Sequence, residues 1–124
     1  MLHWLVAFAF TQLVEVPIYM RALRGRALAS FGASAITHPI VWFVIPDAWR
    51  ALYLAAIRFD SRFVIASPLA RYLCMVLVAE GFAVGVEAIY LRALGVKRAL
   101  TWSFAANAAS VTLGLVARAL FGWP

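Results

Sequence analysis

Acidic residues are scarce in this chain, and so is charge of either sign. Only five of its 124 residues are Asp or Glu, and all charged residues together make up 13%. A soluble domain usually carries about a quarter charged residues. Hydrophobic residues reach 66%, and the mean hydropathy is +0.93. There are too few ionised side chains to cover a surface in water, which excludes an ordinary soluble domain and indicates a chain that faces lipid.

Cysteine and histidine are almost absent as well. Cys74 is the one cysteine, so no disulfide can form within the chain. The two histidines, His3 and His38, lie far apart, and no HExxH, GxSxG, phosphate-loop or paired-cysteine motif occurs. The sequence therefore lacks the usual signatures of metalloproteases, serine hydrolases and nucleotide-binding proteins, and no cofactor can be assigned from it.

Long apolar runs dominate what is present. A helix needs about 20 mostly apolar residues to cross a bilayer, and four segments meet this requirement: residues 2–19, 27–45, 68–91 and 99–121. Ser67-Pro68 is suited to begin the third of these helices. The sequence predicts an all-α fold, an integral membrane four-helix bundle that forms a single transmembrane domain over residues 1–124.

The segment 46–67 is too charged to span, because it contains Asp47, Asp60 and three arginines. We expect it to be an interfacial connector. A short helix with an apolar face is predicted within it from the spacing of its apolar residues, Trp49, Leu52, Tyr53 and Ala56.

The net charge of +6 is concentrated in the two short loops of the predicted bundle. These loops carry six basic residues and no acidic one: Arg21, Arg24, Arg26, Arg92, Lys97 and Arg98. Because each group lies between two apolar runs, contact with lipid headgroups explains it better than nucleic-acid binding does. The positive-inside rule places these loops in the cytoplasm and both termini outside. The outer interface would then carry a tryptophan belt made of Trp4, Trp42, Trp49 and Trp123.

An internal repeat relates the two halves of the chain. Residues 14–23 match residues 86–94 with one residue dropped, and the match shares Val-Glu, Ile-Tyr and Arg-Ala-Leu. Further on, residues 26–28 match 98–100, residues 30–34 resemble 103–107, and Thr37 aligns with Ser110. Each repeat contains two helices, so both would enter the membrane in the same direction. This predicts two parallel-repeat hairpins about a pseudo-twofold axis along the membrane normal; the alternative is a duplication kept only for packing.

Several polar side chains fall inside the predicted spans, where they are costly and usually functional. At 1.5 Å per residue from the basic loops, Glu15 and Glu87 lie roughly 8–9 Å deep, and His38 and Glu80 lie roughly 18 Å deep. Gln12, Ser34 and Asn107 fall between, at about 12–14 Å. We predict that all seven form a substrate- or ion-binding site. The glutamates would carry a proton or bind a cation; alternatively, they are hydrogen-bonded struts that fix helix register, or they reach towards the basic loops.

A metal site is one interpretation of His38. With Glu80 or Glu15 it offers imidazole and carboxylate ligands for zinc or iron, although a hydrogen-bonded interior histidine explains the same residue more simply.

A GxxxG motif on the third span indicates an interface. It consists of Gly81 and Gly85, and it predicts close contact with a neighbouring helix or a second subunit.

The order Glu15-x-Pro17-x-Tyr19, then Thr37-His38-Pro39, then Glu87 and Asn107-x-x-Ser110 resembles a pattern in small bacterial four-helix membrane proteins. In those proteins the second span has an asparagine where this chain has Ser34. The resemblance covers most of the chain except residues 46–67. It implies the four-helix fold, the duplicated hairpin and a bacterial inner membrane, and it implies no activity.

Three functions are compatible with these patterns. The first is a small transport or channel-type protein, dimeric, that moves a proton, a cation or a small solute through the polar site. The second is a non-catalytic accessory or scaffold subunit of a larger membrane complex. The third is an intramembrane hydrolase with Glu80 or Glu87 as base, His38 as its partner and Asn107 as oxyanion donor. Transport requires Glu15 and Glu87 to face a polar cavity, whereas hydrolysis requires Glu80 or Glu87 within hydrogen-bond reach of His38 or of a bound water.

Overall fold

The computed structural model describes residues 2–122, and these are almost entirely helical and contain no strand. The elements are α1 (Leu2–Ala22), α2 (Ala27–Pro39), a π-helical turn (Ile40–Val44), α3 (Ile45–Phe59), a short 3₁₀ turn (Ser61–Phe63), α4 (Pro68–Ala93) and α5 (Ala99–Phe121). Four helical stretches are long and apolar enough to cross a membrane. The predicted all-α fold is thereby confirmed, and it is consistent with a multi-pass membrane protein. Trp123, assigned to the outer interface, lies outside the described residues.

The second of these stretches joins α2, the π-helical turn and α3 into one helix of 33 residues, Ala27–Phe59. If straight, it would be about 50 Å long, whereas the hydrocarbon core of a bilayer is about 30 Å thick. Part of this helix would therefore lie outside the core of a bilayer that it crosses, and the charged α3 is the part suited to lie there. The helix predicted within segment 46–67 is present as α3, and it continues the second span instead of standing apart from it.

The four long helices form a ring. α1 packs against α2 and α5, and α4 packs against the same two helices. α1 and α4 are consequently diagonal partners across the bundle, and α2 and α5 form the other diagonal.

Small side chains occupy the faces where the helices meet. The buried residues of α2 and α5 recur every three or four positions, as one face of a helix does; they are Ser30, Ala33, Ser34, Thr37 and His38 on α2, and Ala99, Ser103, Ala106, Asn107 and Ser110 on α5. Large apolar residues point outwards instead, and Leu13, Leu28 and Ile89 are 71–86% exposed. Because lipid is as apolar as leucine, close backbone approach and polar contacts hold such a bundle together.

An apolar cluster fills the bundle next to the two short loops. It contains Tyr19, Leu23, Leu91 and Val96 together with three alanines of α2 and α5. Tyr19 and Leu91 are both 0% exposed. This end of the bundle is therefore closed by packing.

Local contacts fix the connector between α3 and α4. The Ser67 hydroxyl accepts a hydrogen bond from the Ala70 N–H at 3.3 Å, with Pro68 in the first turn, which confirms the predicted start of α4. The Tyr53 hydroxyl accepts from the Ile65 N–H at 3.1 Å. After α3, Asp60 forms an ion pair with Arg62 at 2.6 Å, and this guanidinium holds the pKa of Asp60 below its usual value.

Close packing at the α5 face leads to a first prediction. Ala106 is 0% exposed, so Ala106→Leu should force the helices apart and lower the free energy of unfolding by about 1–3 kcal/mol. Ala105→Leu adds the same side chain at an exposed neighbouring position and should change stability little. SDS-induced unfolding of both variants in mixed micelles measures the difference. Equal stability of the two would show that the α5 face does not determine packing.

Candidate functional site

Glu87 lies at the centre of a hydrogen-bond network that joins all four long helices. It projects from α4 and is 1% exposed. Its Oε1 accepts from the Thr37 hydroxyl of α2 at 2.6 Å, and its Oε2 accepts from the Asn107 side-chain amide of α5 at 2.6 Å. The Tyr19 hydroxyl of α1 also donates to Oε2. The carboxyl group thus has a donor from each of the other three helices.

Glu15 of α1 has a similar but smaller set of partners. It is 2% exposed, and its two carboxyl oxygens accept from different helices. Ser110 of α5 donates to Oε1 at 2.6 Å, and Ser34 of α2 donates to Oε2. Both glutamates therefore point into the bundle, and neither reaches towards the basic loops.

A cavity of about 160 Å³ lies between these carboxyl groups and the middle of the bundle. Its polar lining includes the carboxyl groups of Glu15, Glu80 and Glu87, the His38 ring, and the four hydrogen-bond donors Ser34, Thr37, Asn107 and Ser110. The remaining lining residues come from α1, the π-helical turn, α4 and α5: Ala7, Phe10, Thr11, Val41, Trp42, Ala83, Val111 and Gly114. This volume is enough for several water molecules, and the polar groups are enough to hydrogen-bond them.

Glu80 differs from the other two carboxyl groups. It is only partly buried, and no group among residues 2–122 donates a hydrogen bond to it. It lies two helical turns before Glu87 on α4, on the same face. Glu80 is thus the carboxyl group of this cavity that remains available to water or to a solute.

A second cavity, of about 600 Å³, continues from the first towards the end of the bundle that carries α3. The two share five lining residues, Val41, Trp42, Glu80, Val111 and Gly114. Towards the end of the bundle the larger cavity is lined by Pro46, Tyr72 and Arg118. The Arg118 guanidinium donates to the Tyr72 hydroxyl at 3.3 Å. The polar centre therefore adjoins space on this side, whereas the apolar cluster closes the other.

Aromatic rings surround His38. The Trp42 ring stacks on it at 5.9 Å between centroids, the Phe8 ring meets it edge-on at 5.1 Å, and Trp4 lies at 6.1 Å. His38 is 7% exposed, and its Nδ1 atom is buried without a hydrogen-bond partner among the described residues. Within the described chain it makes no direct hydrogen bond to Glu80 or Glu87, so the hydrolase hypothesis depends on a bound water between these groups, which line the same cavity.

The π-helical turn determines where Trp42 lies. It follows His38-Pro39 directly, and the Ile45 N–H bonds to the Ile40 carbonyl, five residues earlier. A proline has no N–H to donate, so the regular ladder is already interrupted at Pro39. The wider turn brings both Val41 and Trp42 to the cavity. Single π-helical turns within α-helices are rare and are frequent at functional sites.

Six of the seven predicted site residues line this one cavity: Glu15, Ser34, His38, Glu80, Glu87 and Asn107. Gln12 is not among the lining residues, and its side-chain nitrogen and oxygen are buried without a partner in the described chain. The metal hypothesis for His38 and Glu80 gains no support, since residues 2–122 contain no cluster of three His, Cys, Asp or Glu side chains able to hold a metal ion.

Sequence reasoning did not assign three residues that the network depends on, Tyr19, Thr37 and Ser110. Thr37 lies three residues after Ser34, and Ser110 three residues after Asn107, so each pair shares one face of its helix, and helical periodicity could have identified both residues. Tyr19 lies one turn after Glu15, and nothing in the sequence indicates a partner on another helix. Its hydroxyl instead reaches Glu87 across the bundle.

Comparison of the chain with protein-family models, with curated proteins and with solved structures gives no significant match.

The Tyr19–Glu87 contact leads to a second prediction. Tyr19→Phe removes only the hydroxyl that donates to Glu87, and it should lower the free energy of unfolding by about 1–3 kcal/mol, as expected for a buried bond to a carboxyl group. Tyr90→Phe is the matched control, because the Tyr90 hydroxyl makes no hydrogen bond with the described residues. SDS-induced unfolding provides the comparison. A loss of the same size in both variants would argue against a special role for the contact.

Proposed function

We propose that this chain is a small transport or channel-type membrane protein that handles a proton, a cation or a small solute at its central cavity. One observation carries the proposal: Glu15, Glu80 and Glu87 line a single cavity, and no lysine or arginine lines it with them. Ionisable side chains in spans usually mark ion or substrate pathways.

The charge of the cavity supports this function over a purely structural one. Three carboxyl groups within one low-dielectric space repel one another when ionised, and His38 is the one basic side chain in the lining. Their charge must be neutralised by protons or by a cation that enters the cavity. A strut that only fixes helix register needs one hydrogen-bonded carboxyl group, and it does not need Glu80 without a partner.

The proposal includes the internal repeat and its pseudo-twofold axis along the membrane normal. Under the repeat, α1 corresponds to α4 and α2 to α5, and each such pair is diagonal in the ring. Glu15 then corresponds to Glu87, Ser34 to Asn107, and Ser110 to Thr37. The two partners of Glu15 thus map onto two of the partners of Glu87. This correspondence favours a duplicated site over a duplication kept only for packing.

We further propose that the protein is a dimer in a bacterial inner membrane and that its short basic loops lie in the cytoplasm. The GxxxG face supports association, because a methyl group at Gly81 or Gly85 would meet no atom within 4 Å. A helix of a second copy fits this open face. The same face would serve the second candidate function, an accessory subunit of a larger membrane complex.

A proteoliposome flux assay tests the transport function. Uptake of protons, sodium, potassium and small organic cations is compared between the wild-type protein and Glu15→Gln/Glu87→Gln. We expect at least a tenfold lower flux of the transported species in the double variant and in Glu80→Gln, since both remove carboxyl groups of the cavity.

Asp47→Asn is the matched control, because it removes a carboxyl group that is exposed on α3 and does not line the cavity. Its flux should equal that of the wild-type protein. SDS-induced unfolding of each variant separates a loss of transport from a loss of folding. Absent flux in the wild-type protein, or equal flux in all variants, would reject transport and favour the accessory function.

A further inference from the structure

The two short loops meet at one basic cavity, on the opposite side of the apolar cluster from the carboxyl groups. The cavity measures about 580 Å³, which lies within the range of about 300–1,000 Å³ typical of ligand sites. Four cationic side chains line it: Arg24 and Arg26 from the first loop, and Lys97 and Arg98 from the second. Trp102 and apolar residues of both loops complete the lining. No acidic residue is among them.

The backbone of each loop turns sharply to bring these residues together. Gly25 and Gly95 have φ angles of +84° and +89°, in the left-handed region that favours glycine, and Arg24 has a φ of +52°. The turns end α1 and α4 and start α2 and α5 within four or five residues. As a result, α2 and α5 both begin at the cavity, and Arg26 and Arg98 are their N-cap residues.

Both of these helix N-termini lack the groups that normally satisfy them. Neither Arg26 nor Arg98 caps its helix with a side-chain hydrogen bond, and neither helix has an acidic residue in its first turn. The first N–H groups of a helix need acceptors, and the N-terminal end of the helix dipole is positive. An arginine placed there adds charge of the same sign, so the helix end and the side chain would both attract an anion.

No anion from the described chain balances this charge. The ion pair found among residues 2–122 joins Arg62 to Asp60, and the four cationic residues of the basic cavity take no part in it. Glu15 and Glu87 are separated from the loops by the packed side chains of Tyr19 and Leu91. All four cationic side chains are exposed, so the basic cavity is open to an anion from outside this part of the protein.

We propose that the basic cavity binds a phosphate group, with its oxygens accepting hydrogen bonds from Arg24, Arg26, Lys97 and Arg98. Helix N-termini and clustered guanidinium groups are the two protein features that bind phosphate best, and this cavity combines them. The loops join candidate spans, so they lie at the level of lipid headgroups. The phosphate is that of an anionic phospholipid or a free phosphate ion. The inference is independent of the proposed transport function.

A binding experiment on the full-length protein in a neutral detergent tests the site. Short-chain phosphatidylglycerol, short-chain phosphatidylcholine and inorganic phosphate are titrated separately, and bound ligand is followed by native mass spectrometry and by the thermal unfolding midpoint. We expect saturable binding of phosphatidylglycerol or phosphate and weaker binding of phosphatidylcholine. Stoichiometric binding of inorganic phosphate that phosphatidylglycerol does not displace identifies the free ion as the ligand, and displacement identifies the lipid.

Variants separate a specific site from general surface charge. Arg26→Gln/Arg98→Gln removes two charges that line the cavity and should weaken binding about tenfold or more. Arg21→Gln/Arg92→Gln removes two charges at the ends of α1 and α4 that are exposed like Arg26 and Arg98 but do not line the cavity, and should weaken binding less than threefold.

Arg24→Gln/Lys97→Gln supplies a second pair of lining substitutions if the first variant fails to fold. Equal weakening by the lining and control pairs would overturn the proposal and reduce the effect to surface charge. Absence of saturable binding by both anions would overturn it as well.

Discussion

Two carboxyl groups are buried in the middle of an apolar bundle, and the arrangement of the helices depends on how their oxygens are satisfied. Burying such a group without hydrogen bonds is far more costly than any single packing contact. Glu15 and Glu87 lie on diagonal helices, and each accepts from both helices of the other diagonal. A rotation or a shift of any one helix would leave a carboxyl oxygen without its donor. The network therefore fixes the register of all four helices together.

This constraint explains why the interior is made of small residues. In lipid, burying leucine gives little driving force, so close contact between backbones has to replace a large apolar core. Alanine and serine at the helix faces allow that approach, and they also bring short hydroxyl side chains within reach of the carboxyl oxygens. Ser34 and Ser110 serve both purposes: they pack closely on their neighbours, and they donate to Glu15. The same small residues therefore provide both the close helix packing and the hydrogen bonds to the carboxyl groups.

Much of this arrangement could be predicted from the sequence. The four spans follow from their length and apolarity, and the small-residue stripes follow from helical periodicity, which is why six of the seven assigned residues meet at one cavity. Contacts that cross the bundle follow from neither. Tyr19 has nothing in its local sequence that distinguishes Glu15 from Glu87 as its partner. The π-helical turn depends on how the chain after Pro39 continues into α3, and the sequence instead suggested a separate connector helix.

Gln12 shows the limit of counting depth along a helix. Its depth was predicted to match that of Ser34 and Asn107, but depth does not determine which side of the helix a residue occupies. Thr11, the preceding residue, faces the cavity, and Gln12 is turned away from it by about 100°. The glutamine amide is buried without a partner among the described residues, so it lies at a helix contact rather than in the polar centre.

The two ends of the bundle are chemically opposite, and Tyr19 lies between them. On one side, carboxyl groups line a cavity that adjoins open space; on the other, cationic loops lie behind an apolar cluster. The Tyr19 ring belongs to that cluster, while its hydroxyl donates to Glu87. A single side chain thus belongs both to the hydrogen-bond network of the central cavity and to the apolar packing behind the basic loops, so neither can be rearranged without affecting the other.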